Sequence, residues 1–131
     1  MASLSEIEQF TSDLDWYAVD RDGWIGQFLT AGALLPGSLA SDKESFDQLS
    51  TYFDSLPESG ESIFCPKFVV HCRGHHVSQD PADQMPFAQS MSRRGLYSFD
   101  RNDNEDFYYR VAIPSQRLNI ADLPGPIARI L

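Results

Sequence analysis

The stretch that most constrains how this chain can fold is Asp15–Gly32, DWYAVDRDGWIGQFLTAG, two apolar runs on either side of Asp22-Gly23. Asp-Gly between such runs is a strong hairpin signal, because a type I′ turn needs φ > 0 at both central residues. Pairing around a two-residue loop sets Arg21 opposite Trp24, Val19 opposite Gly26 and Tyr17 opposite Phe28 on one face. Trp16, Ala18, Ile25 and Leu29, with Asp20 and Gln27, then share the other face. Both faces are largely apolar, which predicts central strands and requires the rest of the chain to cover them.

The remaining chain supplies that cover. Ser5–Phe10 reads as a short amphipathic turn or helix, and Pro36-Gly37 reads as a turn after the hairpin. Ser41-Asp42-Lys43-Glu44 reads as a capping box, with Ser41 at N-cap and Glu44 at N3. Phe46, Leu49, Phe53 and Leu56 follow on one helical stripe, and Pro57 ends it. Phe68–Cys72 reads as a strand, with Pro66 at its entrance. A helix is expected from Asp80-Pro81 or, to keep Pro86 out of its interior, a short turn at 81–84 followed by a helix from near Pro86; either runs to Arg94 with Gly95 at C′. Leu96–Asp100 and Phe107–Ile113 form a second hairpin around a charged loop, with Tyr108 and Tyr109 on opposite faces, and a short C-terminal helix closes the chain. The expected architecture is α+β in one domain, 1–131: a mostly antiparallel sheet built from two hairpins, covered by two or three helices.

Charge narrows the function classes. The net charge is −9, and it is uneven: residues 1–62 carry twelve acids against two bases, residues 63–131 seven acids and eight bases. Nucleic-acid binding draws its affinity from cationic contacts to phosphate, so this distribution disfavours it. An acidic half suits a basic protein partner, through complementary fields. No apolar run reaches the length of a membrane span, and MASLSEIEQF lacks a basic n-region and an apolar h-region, so a cytoplasmic protein with reduced thiols is expected.

Ligand-type residues gather only around Cys65, His71, Cys72, His75 and His76. Thiolate and imidazole are zinc ligands, but there is no CxxC knuckle, and on a strand His71 and Cys72 point to opposite faces. Buried cysteines and turn histidines account for the pattern better, and no metal or cofactor is expected. Cys65 near Lys67 is the one thiol that invites a nucleophile reading, against which its apolar flanks argue burial. Asp100, Asn102 and Asn104 imitate the first positions of a calcium loop, yet Glu105 replaces the required Gly and Val111 the bidentate Glu. Asp20 and Asp22 resemble a carboxylate pair, with Asp22 taken up by the turn and nothing near Asp20 to raise its pKa. No GxSxG, HExxH or P-loop occurs.

The segments WYAVDRDGWIGQFLTAG, RRGLYSFD and YYRVAIPSQRLNIADLP together carry a resemblance. Their W-x-A-V-D-x-x-G hairpin, Gly-Leu-Tyr-x-x-Asp strand and closing Y-x-x-x-x-P…LP segment resemble a group of small soluble bacterial proteins of uncharacterised role. These are similar in kind (short, acidic, α+β) to toxin-immunity proteins. The resemblance implies a non-enzymatic role and carries no functional residue with it. The leading expectation is therefore an acidic interaction protein, of immunity or regulatory type, that presents Asp42, Glu44, Asp47, Asp54, Glu58 and Glu61 to a basic protein partner. The alternative is a small enzyme or metal-binding domain using Cys65, His71, His75 and His76. A homodimer that buries surplus aromatic surface is a third reading.

Overall fold

The computed structural model describes residues 15–29, 42–68, 85–101 and 108–131. Within them, β1 (Asp15–Val19), β2 (Ile25–Leu29), β3 (Ser62–Phe64), β4 (Tyr97–Arg101) and β5 (Tyr108–Pro114) form one sheet in the order β1-β2-β4-β5-β3. The helices are α1 (Lys43–Ser55), α2 (Pro86–Arg93) and α3 (Gly125–Ala128), with a 3-10 turn at Ile120–Asp122. Three of the strand pairings are antiparallel, and β2–β4 is parallel. The fold is α+β with a mostly antiparallel sheet, as the pattern predicts. The two expected ribbons, β1–β2 and β4–β5, are present, and the parallel β2–β4 seam between them places β2 in the sheet interior and β1 at its edge.

The first hairpin forms, but not in the expected register. Trp16 faces Phe28, Tyr17 faces Gln27 and Val19 faces Ile25. The loop is one residue longer than Asp22-Gly23 alone. The Gly23 amide donates to the Asp20 carbonyl at 3.1 Å, the Asp20 amide to the Trp24 carbonyl at 3.0 Å, and Gly23 takes φ +89°. This is a three-residue connection with glycine at the left-handed position. Asp20 rather than Asp22 supplies the turn's carboxylate: its Oδ1 accepts from the Asp22 amide at 2.9 Å and the Trp24 amide at 3.0 Å. One residue of slip turns every β2 side chain to the opposite face.

Two distinct faces result. Tyr17 and Ile25 point toward the helices and join Leu49, Phe53, Met91, Leu96 and Leu123 in the main core. The Tyr17 ring lies 4.6 Å from that of Phe53, so α1 covers this end of the sheet as expected. A second cluster, Phe68, Ala88, Val111 and Ala112, lies beneath α2. The opposite face is an aromatic stack. Trp16 and Phe28 are parallel at 4.3 Å, Phe28 and Phe99 at 4.6 Å, and Tyr108 meets Trp16 and Phe28 edge-on. The Trp16 indole N–H donates to the Tyr108 hydroxyl at 3.1 Å. Tyr108 and Tyr109 do fall on different faces, but both are half-buried, and Tyr109 packs against the second cluster.

Several local expectations shift by a residue or more. The N-cap of α1 is Asp42, whose carboxylate accepts from the Ser45 amide at 3.1 Å and the Ser45 hydroxyl at 2.8 Å; Ser41 lies outside the described residues. A carboxylate reaches the N3 amide and interacts well with the helix dipole, so Asp42 takes the position expected for Ser41. Leu49 and Phe53 are buried, whereas Phe46 is only half-buried. Phe68 lies in a helical turn begun at Pro66 and not in a strand; Val69–Cys72 lie outside the described residues. Proline at the first position of a helical turn has its φ already set and forfeits no hydrogen bond, which explains the turn. The strand on this side is Ser62–Phe64, paired with β5 at the sheet edge.

The second helix starts at Pro86, as the second expected arrangement has it; residues 81–84, where a short first turn is expected, lie outside the described residues. It ends in a Schellman motif: the Gly95 amide donates to the Ser92 carbonyl, the Leu96 amide to the Met91 carbonyl, and Gly95 takes φ +103°. The C-terminal segment then locks both glycine turns. The Leu118 amide donates to the Gly95 carbonyl at 2.9 Å and the Ile120 amide to the Gly23 carbonyl at 2.8 Å, while Asn119 Nδ2 donates to the Asp22 carbonyl at 3.1 Å. Arg117 stacks over the Trp24 ring at 3.9 Å.

Candidate functional site

The six acids singled out from the sequence occupy three different situations. Asp42 is engaged as the α1 cap, and the Ser45 amide and hydroxyl hold its carboxyl below the usual carboxylate range. Glu44, Asp47 and Asp54 stand exposed on the outer side of α1 and make no ion pair among the described residues. Glu58 meets Arg93 at 4.0 Å, a long, exposed contact that holds neither side chain firmly. Glu61 is exposed at the entrance of β3. Its backbone is fixed by Ser115, with Ser115 N donating to Glu61 O at 2.9 Å and Glu61 N to Ser115 Oγ at 2.8 Å, which leaves its carboxylate in solvent.

The reason these acids face outward is the placement of the apolar stripe. Burying Leu49 and Phe53 against Tyr17 fixes the rotation of α1, and residues on the far side of a 3.6-residue period must then project away from the sheet. The same rotation brings Glu44, Gln48, Thr51 and Ser55 into one row, at spacings of four, three and four. That row lines a shallow groove of about 760 Å³ between α1 and α3, with Lys43 and Asp47 beside it and Tyr52, Pro126 and Ile127 as its apolar part. Tyr52 and Ile127 also pack on the main core, so the groove floor continues into the interior. Sequence reasoning identified the acids but not Tyr52, Pro126 or Ile127. The signal for the first was a fifth apolar position beside the Phe46–Leu49–Phe53–Leu56 stripe; the others come from an element some seventy residues away, which no local pattern connects to α1.

Two other concavities share Phe99 and Arg110. One of about 670 Å³ is lined by Cys65, Pro66, Lys67, Phe99, Tyr109 and Arg110. The other, of about 380 Å³, runs over Trp24, Gly26, Phe28 and Phe99 and shares Arg110. Cys65 is a buried free cysteine whose amide donates to the Val111 carbonyl at 2.8 Å. His71, Cys72, His75 and His76 lie outside the described residues, as do Asn102 and Asn104, so neither the Cys/His cluster nor the calcium-like loop can be assembled from described side chains. Among the described residues no three His, Cys, Asp or Glu side chains gather closely enough to hold an ion. Asp100 accepts from the Arg101 amide at 2.9 Å and from the Tyr109 hydroxyl at 3.3 Å.

The buried titratable group on the helix side is Tyr17. Burial first, and the adjacent Asp15 carboxylate second, raise its pKa far above the ordinary phenol value, so it remains a neutral donor to Asp15 Oδ2 at 2.7 Å. This hydrogen bond lies beside α1, and Tyr17 lines none of the three concavities above. None of the described helices is long and apolar enough to cross a membrane. No family model, curated protein or solved structure matches the chain.

Proposed function

We propose that this protein is a non-enzymatic interaction protein, of immunity or regulatory type, that binds a basic protein partner through the outer face of α1. The observation that carries the reading is that Glu44, Asp47 and Asp54 project from one rigidly seated helix with no cation of the described chain paired to them. Their fields are then available to a partner, and complementary fields raise the rate of encounter and reject wrong partners. Glu61, fixed at the backbone and exposed at the carboxylate, is a further acid at the entrance of β3. Glu58 contributes less, since Arg93 stands against it.

The test is affinity capture in parallel with the wild-type chain and a variant carrying Glu44→Lys, Asp47→Lys, Asp54→Lys and Glu61→Lys, followed by affinity measurement on any purified partner. A basic partner retained by the wild type, released by salt and lost by the variant supports the proposal. Equal affinities and equal salt slopes for the two chains rule it out. A homodimer is the second reading, favoured by Ile63 on the edge strand β3 and Phe87 on α2, which are 50% and 38% exposed. Light scattering of the wild type against Ile63→Lys decides it: a dimer that the substitution converts to monomer supports it, and a monomeric wild type ends it.

A further inference from the structure

From the groove between α1 and α3 we infer that the partner delivers a cationic amphipathic helix into it, its apolar side on Tyr52, Pro126 and Ile127 and its cations at Glu44 and Asp47. The inference rests on the acidic-face reading and deepens it by naming the recognised element. Three observations argue for it together. The groove is open, about 760 Å³, and lies between the 13-residue α1 and the single turn of α3, so a helix laid along α1 can seat its apolar side chains in it. Its apolar part is continuous with the main core through Tyr52 and Ile127, so an apolar side chain entering it extends a packed interior.

The polar lip is also graded along α1. Glu44 and Asp47 stand at one end and outnumber Lys43 beside them, while Gln48, Thr51 and Ser55 carry no charge toward the other. The lip therefore selects a helix with cations concentrated at one end and apolar side chains on the side facing the groove. A purely cationic segment would meet the two acids but leave the groove floor unfilled. A purely apolar one would fill the floor and leave both acids unmatched.

The experiment uses two fluorescein-labelled probes of equal charge, a synthetic amphipathic helix of leucine and lysine and a lysine homopolymer. They are titrated into the wild-type chain, Ile127→Ala, Thr51→Phe, the pair Glu44→Lys with Asp47→Lys, and the off-groove pair Asp54→Lys with Glu61→Lys. Thr51 is exposed, so Thr51→Phe fills the groove without disturbing the core, and it keeps the test decisive if Ile127→Ala does not fold. The expected result is that the leucine–lysine helix binds about tenfold more tightly than the homopolymer. Ile127→Ala or Thr51→Phe removes that advantage, the groove pair of reversals weakens binding more than the off-groove pair, and amide shifts concentrate at 43–55 and 125–128. Equal binding of the two probes, or an advantage indifferent to Thr51→Phe, overturns the inference. If charge reversal still weakens both probes in that case, the acidic-face reading survives its loss. If neither probe binds, the inference is overturned as well.

Discussion

Gly23 shows how much of this fold hangs on single atoms. Its φ of +89° already disfavours any side chain, and a Cβ there would stand 2.8 Å from Asn119 Oδ1. Asn119 cannot retreat without releasing two hydrogen bonds, since it caps the 3-10 turn through the Ala121 amide and holds the Asp22 carbonyl. Gly23→Ala should therefore destabilise by more than the roughly 1 kcal/mol of a left-handed alanine alone, measured by urea unfolding. Phe53 and Phe46 make a paired test of burial. Phe53→Ala empties a fully buried site and should cost roughly 3–5 kcal/mol, whereas Phe46→Ala, at a half-buried site, should cost clearly less. Asp42 provides a pH signature. Its carboxyl pKa is depressed in the folded chain, so the stability it contributes is present above the unfolded value of about 3.9 and is lost as pH falls through the folded pKa. The Asp42→Ala chain should be less stable at neutral pH and should converge on the wild type in acid, as followed by thermal melts.

At the level of elements, the sheet carries one local conflict with an ordinary core. Gln27 and Ser98 are fully buried across the parallel β2–β4 seam, where Ser98 Oγ donates to Gln27 Oε1 at 2.7 Å and Gln27 Nε2 has no partner among the described residues. An unpartnered buried amide costs about 1–3 kcal/mol, so Gln27→Met combined with Ser98→Ala should be neutral or stabilising in denaturant unfolding. Destabilisation by more than about 1 kcal/mol would show that the pair fixes strand order instead. Most elements were legible in the sequence because their signals are local: the Leu49–Phe53 stripe, Pro86 at a helix start, and Gly95 after two arginines all need only neighbouring residues; β3 was not, since its three residues carry too short a pattern. Register was not legible. Asp20 and Asp22 are both competent turn residues, and the choice between a two- and a three-residue loop was decided by Asp20's own side chain and by Asn119 reaching in from the C-terminal segment. Likewise nothing near β4 in sequence announces that it lies parallel to β2.

Over the whole molecule, the separation of roles follows the sheet. One face carries the helices and the main core, the other an aromatic stack of Trp16, Phe28, Phe99 and Tyr108. The C-terminal segment ties the two ribbons together by holding the Gly23 and Gly95 turns. The sequence revealed the acidic half at once, because charge is additive and needs no geometry. It could not separate Glu44, Asp47 and Asp54, which face solvent, from Asp42, which is engaged as a cap, nor could it bring Ile127 beside Tyr52. That sorting depends on the rotation of α1, which is set by packing across the domain's interior.

The same sorting indicates how to test the account. Affinity for a captured basic partner should be measured against ionic strength for the wild type and for the variant reversed at Glu44, Asp47, Asp54 and Glu61. The account predicts wild-type binding that weakens steeply with salt, and a variant whose binding is at least about tenfold weaker, with a flatter slope. Superimposable curves for the two chains would contradict it.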